Sequence, residues 1–347
     1  MNKYMENNIF KEMNLSTKTE EEKELELYNK LYFVQDNLGM GSKVNLNDVS
    51  NRKTVIYSEC RKLFPQNIFF INYGKYTIFG RKLISEKHLN GKLKELHCSA
   101  IKEYMLLGIF VSYEENSLYI KIKYNPLNND EKSAIFSEIV NSKESELIYP
   151  FRYLDSYGKE RHSPKNGWQL NPLRAENLSL GEERIRKFTI DFLKQFDLKN
   201  KVVYDPACST GKFLSTIKQN FPECYTIGQD LSVEMVEYAK NFVDEIHLGN
   251  SIRPAVPVAS IDFCFIRFLN SEVVTTKQAE RLFVRIKDCI KPNGIIIVLG
   301  HTPILLKSSF FCKYHFSILN MIAYDRDENA IFQYYVLKNG EGSVEDG

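Results

Sequence analysis

The chain has 347 residues, 43% of them hydrophobic, enough to bury a core in each of two domains. Its formal net charge of +2 singles out neither nucleic acid nor a membrane surface. No apolar run reaches the roughly 18 residues of a membrane span, and Met1-Asn-Lys-Tyr-Met-Glu lacks the basic-then-apolar profile of a secretory signal. Seven scattered cysteines without C-x-x-C pairing point to reduced thiols in a cytoplasmic protein rather than to disulfides or zinc.

Residues 1–17 are polar and read as a disordered tail. A helix is expected from Lys18 to Leu38, with Leu25, Leu27, Leu31 and Val34 among acids and Gly39 to end it. A second is expected from Asp48 to Phe64, stopped by Pro65. Asn67 to Asn72 and Tyr76 to Gly80 read as strands around Tyr73-Gly74. Ser85 to Leu107 has a helical pattern; its His88 and His97 lie nine apart, off ligand spacing, so no metal site is expected. Ile109 to Tyr113 and Leu118 to Tyr124 alternate as a hairpin, and Asn128 to Val140 is helical. Residues 18–145 thus form an α+β domain. From Arg61 to Tyr124 it carries eleven Lys/Arg against five Asp/Glu, a face that could track phosphates or simply be solvated.

Residues 146–178 are irregular, rich in Pro, Tyr, Arg and Asn, and include Trp168; they read as a connector that lines an active site, or as a plain linker. A capping-box pattern at Ser179 to Glu182 then opens a helix through Phe196. The most informative stretch follows. Val202-Val-Tyr-Asp-Pro-Ala-Cys-Ser-Thr-Gly-Lys-Phe-Leu214 is a short apolar run ending in Asp205, a turn of small residues, and an amphipathic segment opening at Gly211. This is the strand, loop and helix N-terminus on which α/β proteins hold adenine-bearing cofactors. A second run, Tyr225-Thr-Ile-Gly-Gln, ends in Asp230 at the reach of a ribose-binding acid. A dinucleotide site would need more glycines around its pyrophosphate, and Asp205 would repel that group while suiting an ammonium.

With these residues, the segment from about 180 to 337 resembles the class I, Rossmann-like S-adenosylmethionine-dependent methyltransferases. The family's first motif, an acid followed by alternating small residues, falls on Asp205, Ala207, Ser209 and Gly211, with Ala and Ser in place of two glycines. The resemblance puts the ribose acid at Asp230 and the adenine-contacting residue at Asn250, with Leu231, Ser251 and Arg267 completing the cofactor set. It makes Ile261 to Leu269 the fourth strand and Gly294 to Gly300 the fifth, after a Lys291-Pro-Asn-Gly turn. Phe316 to Tyr324 and Ala330 to Lys338 read as an antiparallel pair, matching the reversed strand at the sheet edge of this class. The implied fold is a doubly wound, mostly parallel α/β sheet over residues 179–340 with an antiparallel C-terminal edge strand. The implied cofactor is S-adenosylmethionine.

Methyl transfer from a sulfonium needs mainly positioning, and a general base only for a protonated acceptor. His301, after the fifth strand in Leu299-Gly-His-Thr-Pro, is the candidate base; the alternative is a histidine that caps the strand end. Arg267 is the second catalytic candidate: it breaks an apolar strand, so it faces the cleft toward an anionic substrate or pairs with the first-motif acid. Asn270, Ser271 and Glu272 follow it, and Tyr153, Tyr157 and His162 lie in the connector. Cys208 reads as a small loop residue rather than a nucleophile.

The expected activity is methyl transfer to an oxygen or nitrogen of a small-molecule metabolite, in specialised metabolism. The alternative is a methyltransferase acting on nucleic acid or protein, with the basic N-terminal domain as recognition module. Against base methylation, the fourth strand is followed by Arg267-Phe-Leu-Asn270 rather than an Asn/Asp-Pro-Pro-aromatic tetrad. A non-catalytic binding protein is disfavoured because the cofactor residues are present. Partners are expected to be a small molecule, with no nucleic acid or membrane. The N-terminal domain would close over the cleft or pair two subunits as a homodimer.

Overall fold

A computed structural model describes residues 44–61, 67–82, 100–152, 154, 158–160, 183–270, 273–300 and 302–340. The chain divides into two compact units: one reaches Ser145 and adds Tyr149–Phe151, the other holds Glu146–Ile148 and the chain from Arg152 onward. No helix among the described residues is long and apolar enough to cross a membrane. The expected helix from Lys18 to Leu38 and the tail before it lie outside the described residues.

In the first unit a single helical turn, α1 (Leu46–Ser50), leads into strand β1 (Val55–Cys60), followed by β2 (Ile68–Tyr73), β3 (Tyr76–Arg81), β4 (Leu106–Glu115), β5 (Tyr119–Pro126) and helix α2 (Asn129–Asn141). Its strands run in the order β1-β5-β4-β3-β2, all neighbours antiparallel. Over its described part, up to Arg61, the helix expected from Asp48 to Phe64 is therefore replaced by a turn and a strand. Val55-Ile-Tyr begins with two β-branched residues and pairs with β5 at six positions, Val55 with Tyr124 through Cys60 with Tyr119. The helix expected from Ser85 falls largely outside the described residues; at its end Glu103–Met105 is a 3-10 turn and Leu106 already begins β4.

The β2–β3 and β4–β5 hairpins and α2 form where alternation and capping place them. Asn128 accepts from Glu131 N at 2.9 Å, and Glu131 returns a bond to Asn128 N at 2.8 Å. The basic character of this unit is partly consumed internally. Buried Arg81 pairs with Glu59 at 3.1 Å, Arg61 pairs with Glu115 at 2.8 Å, and Lys121 lies 4.5 Å over the Tyr119 ring.

The second unit begins with β6 (Glu146–Ile148). After α3 (Glu183–Leu193) come β7 (Val202–Asp205), α4 (Lys212–Asn220), β8 (Tyr225–Asp230), α5 (Val233–Ala239) and β9 (Glu245–Leu248). The chain continues through β10 (Ile261–Ile266), α6 (Thr276–Lys287), β11 (Ile290–Leu299), α7 (Ser308–Cys312), β12 (Phe316–Asp325) and β13 (Ala330–Asn339). The sheet order is β12-β13-β11-β10-β7-β8-β9. Strands β9, β8, β7, β10 and β11 are mutually parallel; β13 is antiparallel to both β11 and β12, so the C-terminal hairpin closes one edge. This is the doubly wound, mostly parallel α/β fold.

Two local readings are corrected. Lys291 to Gly294 is not a turn before the fifth strand but lies within β11. Asn293 sits at φ 62, and the β10 pairing shifts register between Ile261 and Phe263, so the Pro-Asn-Gly run makes a bulge. Helix α3 ends at Leu193 rather than Phe196; its expected start at Ser179 lies outside the described residues. One core centre is Phe283 of α6, fully buried against the rings of Phe311 and Phe316 at 4.9 and 5.6 Å. Truncating such a ring to Ala costs about 3–5 kcal/mol.

Candidate functional site

The chain leaves β7 toward β8 and β9 on one side, then returns to lay β10 on the other. The reversal of strand order between β7 and β10 makes their carboxyl ends a topological switch point, the place where open α/β sheets bind ligands. Asp205 ends β7, and Arg267 follows β10 directly. Asp205 is fully buried; its Oδ1 accepts from Ala207 N at 3.0 Å and its Oδ2 from Arg267 Nε at 2.8 Å. The Arg267 guanidinium also donates to the Cys208 carbonyl at 3.3 Å and stacks 4.7 Å over the Phe213 ring. Of the two readings of Arg267, the structure realises the ion pair with the first-motif acid.

The loop from Pro206 to Gly211 is held from three more sides. Cys208 N donates to the Gln229 carbonyl at 2.8 Å, Ser209 N to Asp230 Oδ2 at 2.9 Å, and Ser251 Oγ to the Pro206 carbonyl at 2.6 Å. Ser209 and Gly211 have φ of 53° and 73°. A Cβ at Gly211 would lie 3.0 Å from Ala239 Cβ, so the turn into α4 needs glycine both for its dihedral and for its closeness to α5. Asp230 at the end of β8 also accepts from Ser232 N at 2.9 Å. Burial raises the pKa of this carboxyl, opposed by the Ser232 and Ser209 amides. Asn250 is exposed, with Oδ1 held by Ile252 N at 3.0 Å, and Leu231 is half-buried beside Asp230.

The structure thus gathers Asp205, Ala207, Ser209, Gly211, Asp230, Ser251 and Arg267 around one loop, with Leu231 and Asn250 on the adjoining strand ends. The Cys208 thiol is buried, and burial pushes its pKa far up, with Asp205 and Asp230 adding to the rise. It is suited to packing, not to nucleophilic attack. His301, Ser271, Glu272, Tyr153, Tyr157, His162 and Trp168 lie outside the described residues. Asn270 is buried, donates to the Arg267 carbonyl at 3.4 Å and bridges to Ile304, so the segment after β10 turns inward.

Two structuring groups are hard to read from the chain. Buried Gln229 accepts from Ala255 N at 2.9 Å and from the Tyr204 hydroxyl, and donates to the Arg253 carbonyl at 3.2 Å, tying the Asn250 segment to β8. Its only signal is a polar residue in an apolar strand. Arg152 donates to Thr276 Oγ1 and to the Leu305 carbonyl, both at 3.1 Å, while Glu160 accepts from Thr276 N at 2.5 Å. The connector residues Arg152 and Glu160 thereby lock the start of α6 and the segment after β11. A separate groove of about 440 Å³ between α3 and α4, lined by Lys187, Ile190, Asp191 and Thr216, includes none of the loop residues.

These residues suit a cationic, adenine-bearing donor. Asp205, Asp230 and Arg267 sum to one negative charge, the loop approaches closely at Gly211, and each Asp230 oxygen keeps a lone pair beyond its amide bond.

A methyltransferase domain family matches residues 203–294. Isonocardicin synthase of Nocardia uniformis subsp. tsuyamanensis is 33% identical over 282 residues, covering 80% of this chain and 92% of that protein. Among solved structures, an S-adenosylmethionine-dependent methyltransferase from Aquifex aeolicus aligns over 49% of this chain and 100% of its own at 16% identity, TM-score 0.37. Magnesium protoporphyrin IX methyltransferase from Synechocystis PCC 6803, with its donor bound, aligns over 50% and 86% at 13% identity, TM-score 0.38. S-Adenosylmethionine is the cofactor, and the chain belongs to the class I S-adenosylmethionine-dependent methyltransferases.

Proposed function

We propose that the protein transfers the methyl group of S-adenosylmethionine to an oxygen or nitrogen of a small molecule in specialised biosynthesis. The observation that carries this reading is the 33% identity, over 80% of this chain and 92% of the relative, to isonocardicin synthase. The inward turn of Phe268, Leu269 and Asn270, all buried, supports it against base methylation, because no open tetrad follows β10 to grip a flipped base.

The bound donor supplies an electrophilic carbon on a positively charged sulfur, which an acceptor displaces in line. In this reading Asp230 takes the ribose hydroxyls, Asn250 and Leu231 flank the adenine, and the backbone from Ala207 to Gly211 cradles the methionine portion. The net negative charge of Asp205, Asp230 and Arg267 favours the cationic donor over its neutral by-product. His301 is the candidate base for a hydroxyl acceptor, from its place after the fifth strand. The N-terminal unit would close over the acceptor or pair two copies of the chain.

The test uses donor labelled in its methyl group, incubated with the purified protein and, separately, with small-molecule, RNA, DNA and protein fractions of a cell extract. Label entering the small-molecule fraction, with S-adenosylhomocysteine formed, is the expected result. Label on RNA, DNA or protein would overturn the acceptor class. Formation of 5′-methylthioadenosine would overturn methyl transfer, since the aminocarboxypropyl carbon would then be the one displaced.

A further inference from the structure

We propose that Gln229 is a positioning residue for base recognition: its buried side-chain amide fixes the turn from Asn250 to Arg253 in the conformation that meets the adenine of the donor. This rests on the reading that the adenine lies against Asn250.

Gln229 is the penultimate residue of β8 and only 1% exposed. Burying an amide is costly unless it is hydrogen-bonded, so its partners decide its place. Its Oε1 accepts from Ala255 N at 2.9 Å and from the Tyr204 hydroxyl of β7, and its Nε2 donates to the Arg253 carbonyl at 3.2 Å. A backbone N–H can only donate and a carbonyl can only accept, so Ala255 and Arg253 fix which end of the amide faces which. Burial pushes the Tyr204 pKa far up, which keeps that hydroxyl protonated and a donor. Gly249 leaves room for the amide, since a Cβ there would lie 3.1 Å from Gln229 Nε2.

Residues 249–260, between β9 and β10, form neither helix nor strand, so side chains must hold what no ladder holds. The turn is closed by Arg253 N donating to the Asn250 carbonyl at 2.9 Å. Its near side is anchored by Gly249 N on the Asp230 carbonyl at 2.9 Å and by Ser251 Oγ on the Pro206 carbonyl at 2.6 Å. Its far side is anchored by Gln229 at Arg253 and Ala255. Two consecutive residues of β8 thus hold the two flanks of one turn, and the second of them, Asp230, is the acid assigned to the ribose. Gln229 acts on the donor only through this turn. It sets the base contact relative to the ribose contact before the donor arrives, so binding does not have to order it.

Hydrogen exchange followed by mass spectrometry, and calorimetric affinities for S-adenosylhomocysteine and S-inosylhomocysteine, are measured at a single pH on the full-length protein and its variants. The two ligands differ only at the base. Wild type should bind S-adenosylhomocysteine about 10-fold or more tightly than the inosine analogue, and its residues 249–256 should exchange more slowly when it is bound. Absence of wild-type binding would refute the donor-site reading itself. Binding without that protection, or with equal affinity for the two bases, would overturn the proposal alone. Gln229→Met keeps the length of the side chain and removes all three bonds. It should speed exchange over residues 249–256 by about 10-fold relative to β10 and narrow the base preference by about 5-fold, the scale of one or two lost hydrogen bonds. Tyr204→Phe removes only the hydroxyl bond and should move both readouts in the same direction by a smaller amount. A merely structural role would weaken both ligands equally and speed exchange throughout the second unit. That outcome, or an unchanged base preference in either variant, would overturn the proposal. Should Gln229→Met not fold, Tyr204→Phe carries the test by the same criterion.

Discussion

Asp230 is the residue whose removal most cleanly separates stability from donor binding. Its carboxylate accepts from two backbone amides, Ser209 N and Ser232 N, each at 2.9 Å. Burial nevertheless raises its pKa, outweighing the Ser232 and Ser209 amides. A carboxyl with a raised folded pKa contributes stability that is full below the ordinary aspartate value of about 3.9 and lost as pH rises through the folded value. At neutral pH, then, the ionised Asp230 adds no net stability. Asp230→Ala should leave the apparent stability of the second unit within about 1 kcal/mol, a shift of about 2–4 °C in melting temperature. Donor affinity should fall far more: losing a charged partner for the ribose costs about 1.5–3 kcal/mol, or roughly 10–150-fold. Calorimetric titration with S-adenosylmethionine and a thermal melt on the same samples check both arms. Unchanged affinity would refute the ribose role. A large drop in melting temperature would refute the linkage argument and make Asp230 a brace of the loop.

Gly211→Ala should destabilise by about 1–2 kcal/mol through its left-handed φ of 73° and the 3.0 Å approach to Ala239 Cβ, and chemical denaturation giving wild-type stability would refute this. Lys132 on α2 is buried with no ion-pair partner among the described residues, and burial pulls its pKa down to about 8. The unfolded chain therefore binds more protons between that value and the ordinary lysine range of about 10.4, so stability should rise with pH across that window. Lys132→Met should abolish the rise and stabilise the first unit by roughly 2–3 kcal/mol at neutral pH in urea unfolding, with no gain counting against the reasoning. His301→Ala should lower turnover about 10²-fold with donor affinity little changed if the acceptor is a hydroxyl; wild-type turnover would remove it as base.

Much of the second unit is legible because its information is local. An apolar run closing on Asp205, a small-residue turn and a glycine where α4 opens describe a strand, loop and helix within thirteen residues. The spacing to Asp230 and the alternation of the C-terminal hairpin are equally short-range. Elements decided by distant partners are not legible in this way. Val55–Cys60 becomes a strand because β5, about sixty residues later, offers it a ladder; the same residues read alone continue a helix. Leu106 and Leu107 likewise end a helical pattern in sequence but begin β4 in the sheet.

The candidate site divides along the same line. Residue types and spacing indicate which groups would form the proposed donor loop. They cannot say that Arg267 answers Asp205, because the two are 62 positions apart and meet only once β10 lies beside β7. Nor can they assign the Gln229 side chain its three-way tie between Tyr204, Arg253 and Ala255, since a buried amide takes its partners from whichever polar groups the fold brings within reach. Local chain chemistry specifies the strand, the turn and the helix start. Long-range packing decides which buried charge is neutralised, and by which neighbour, because that depends on desolvation, a property of the folded surroundings rather than of the residue.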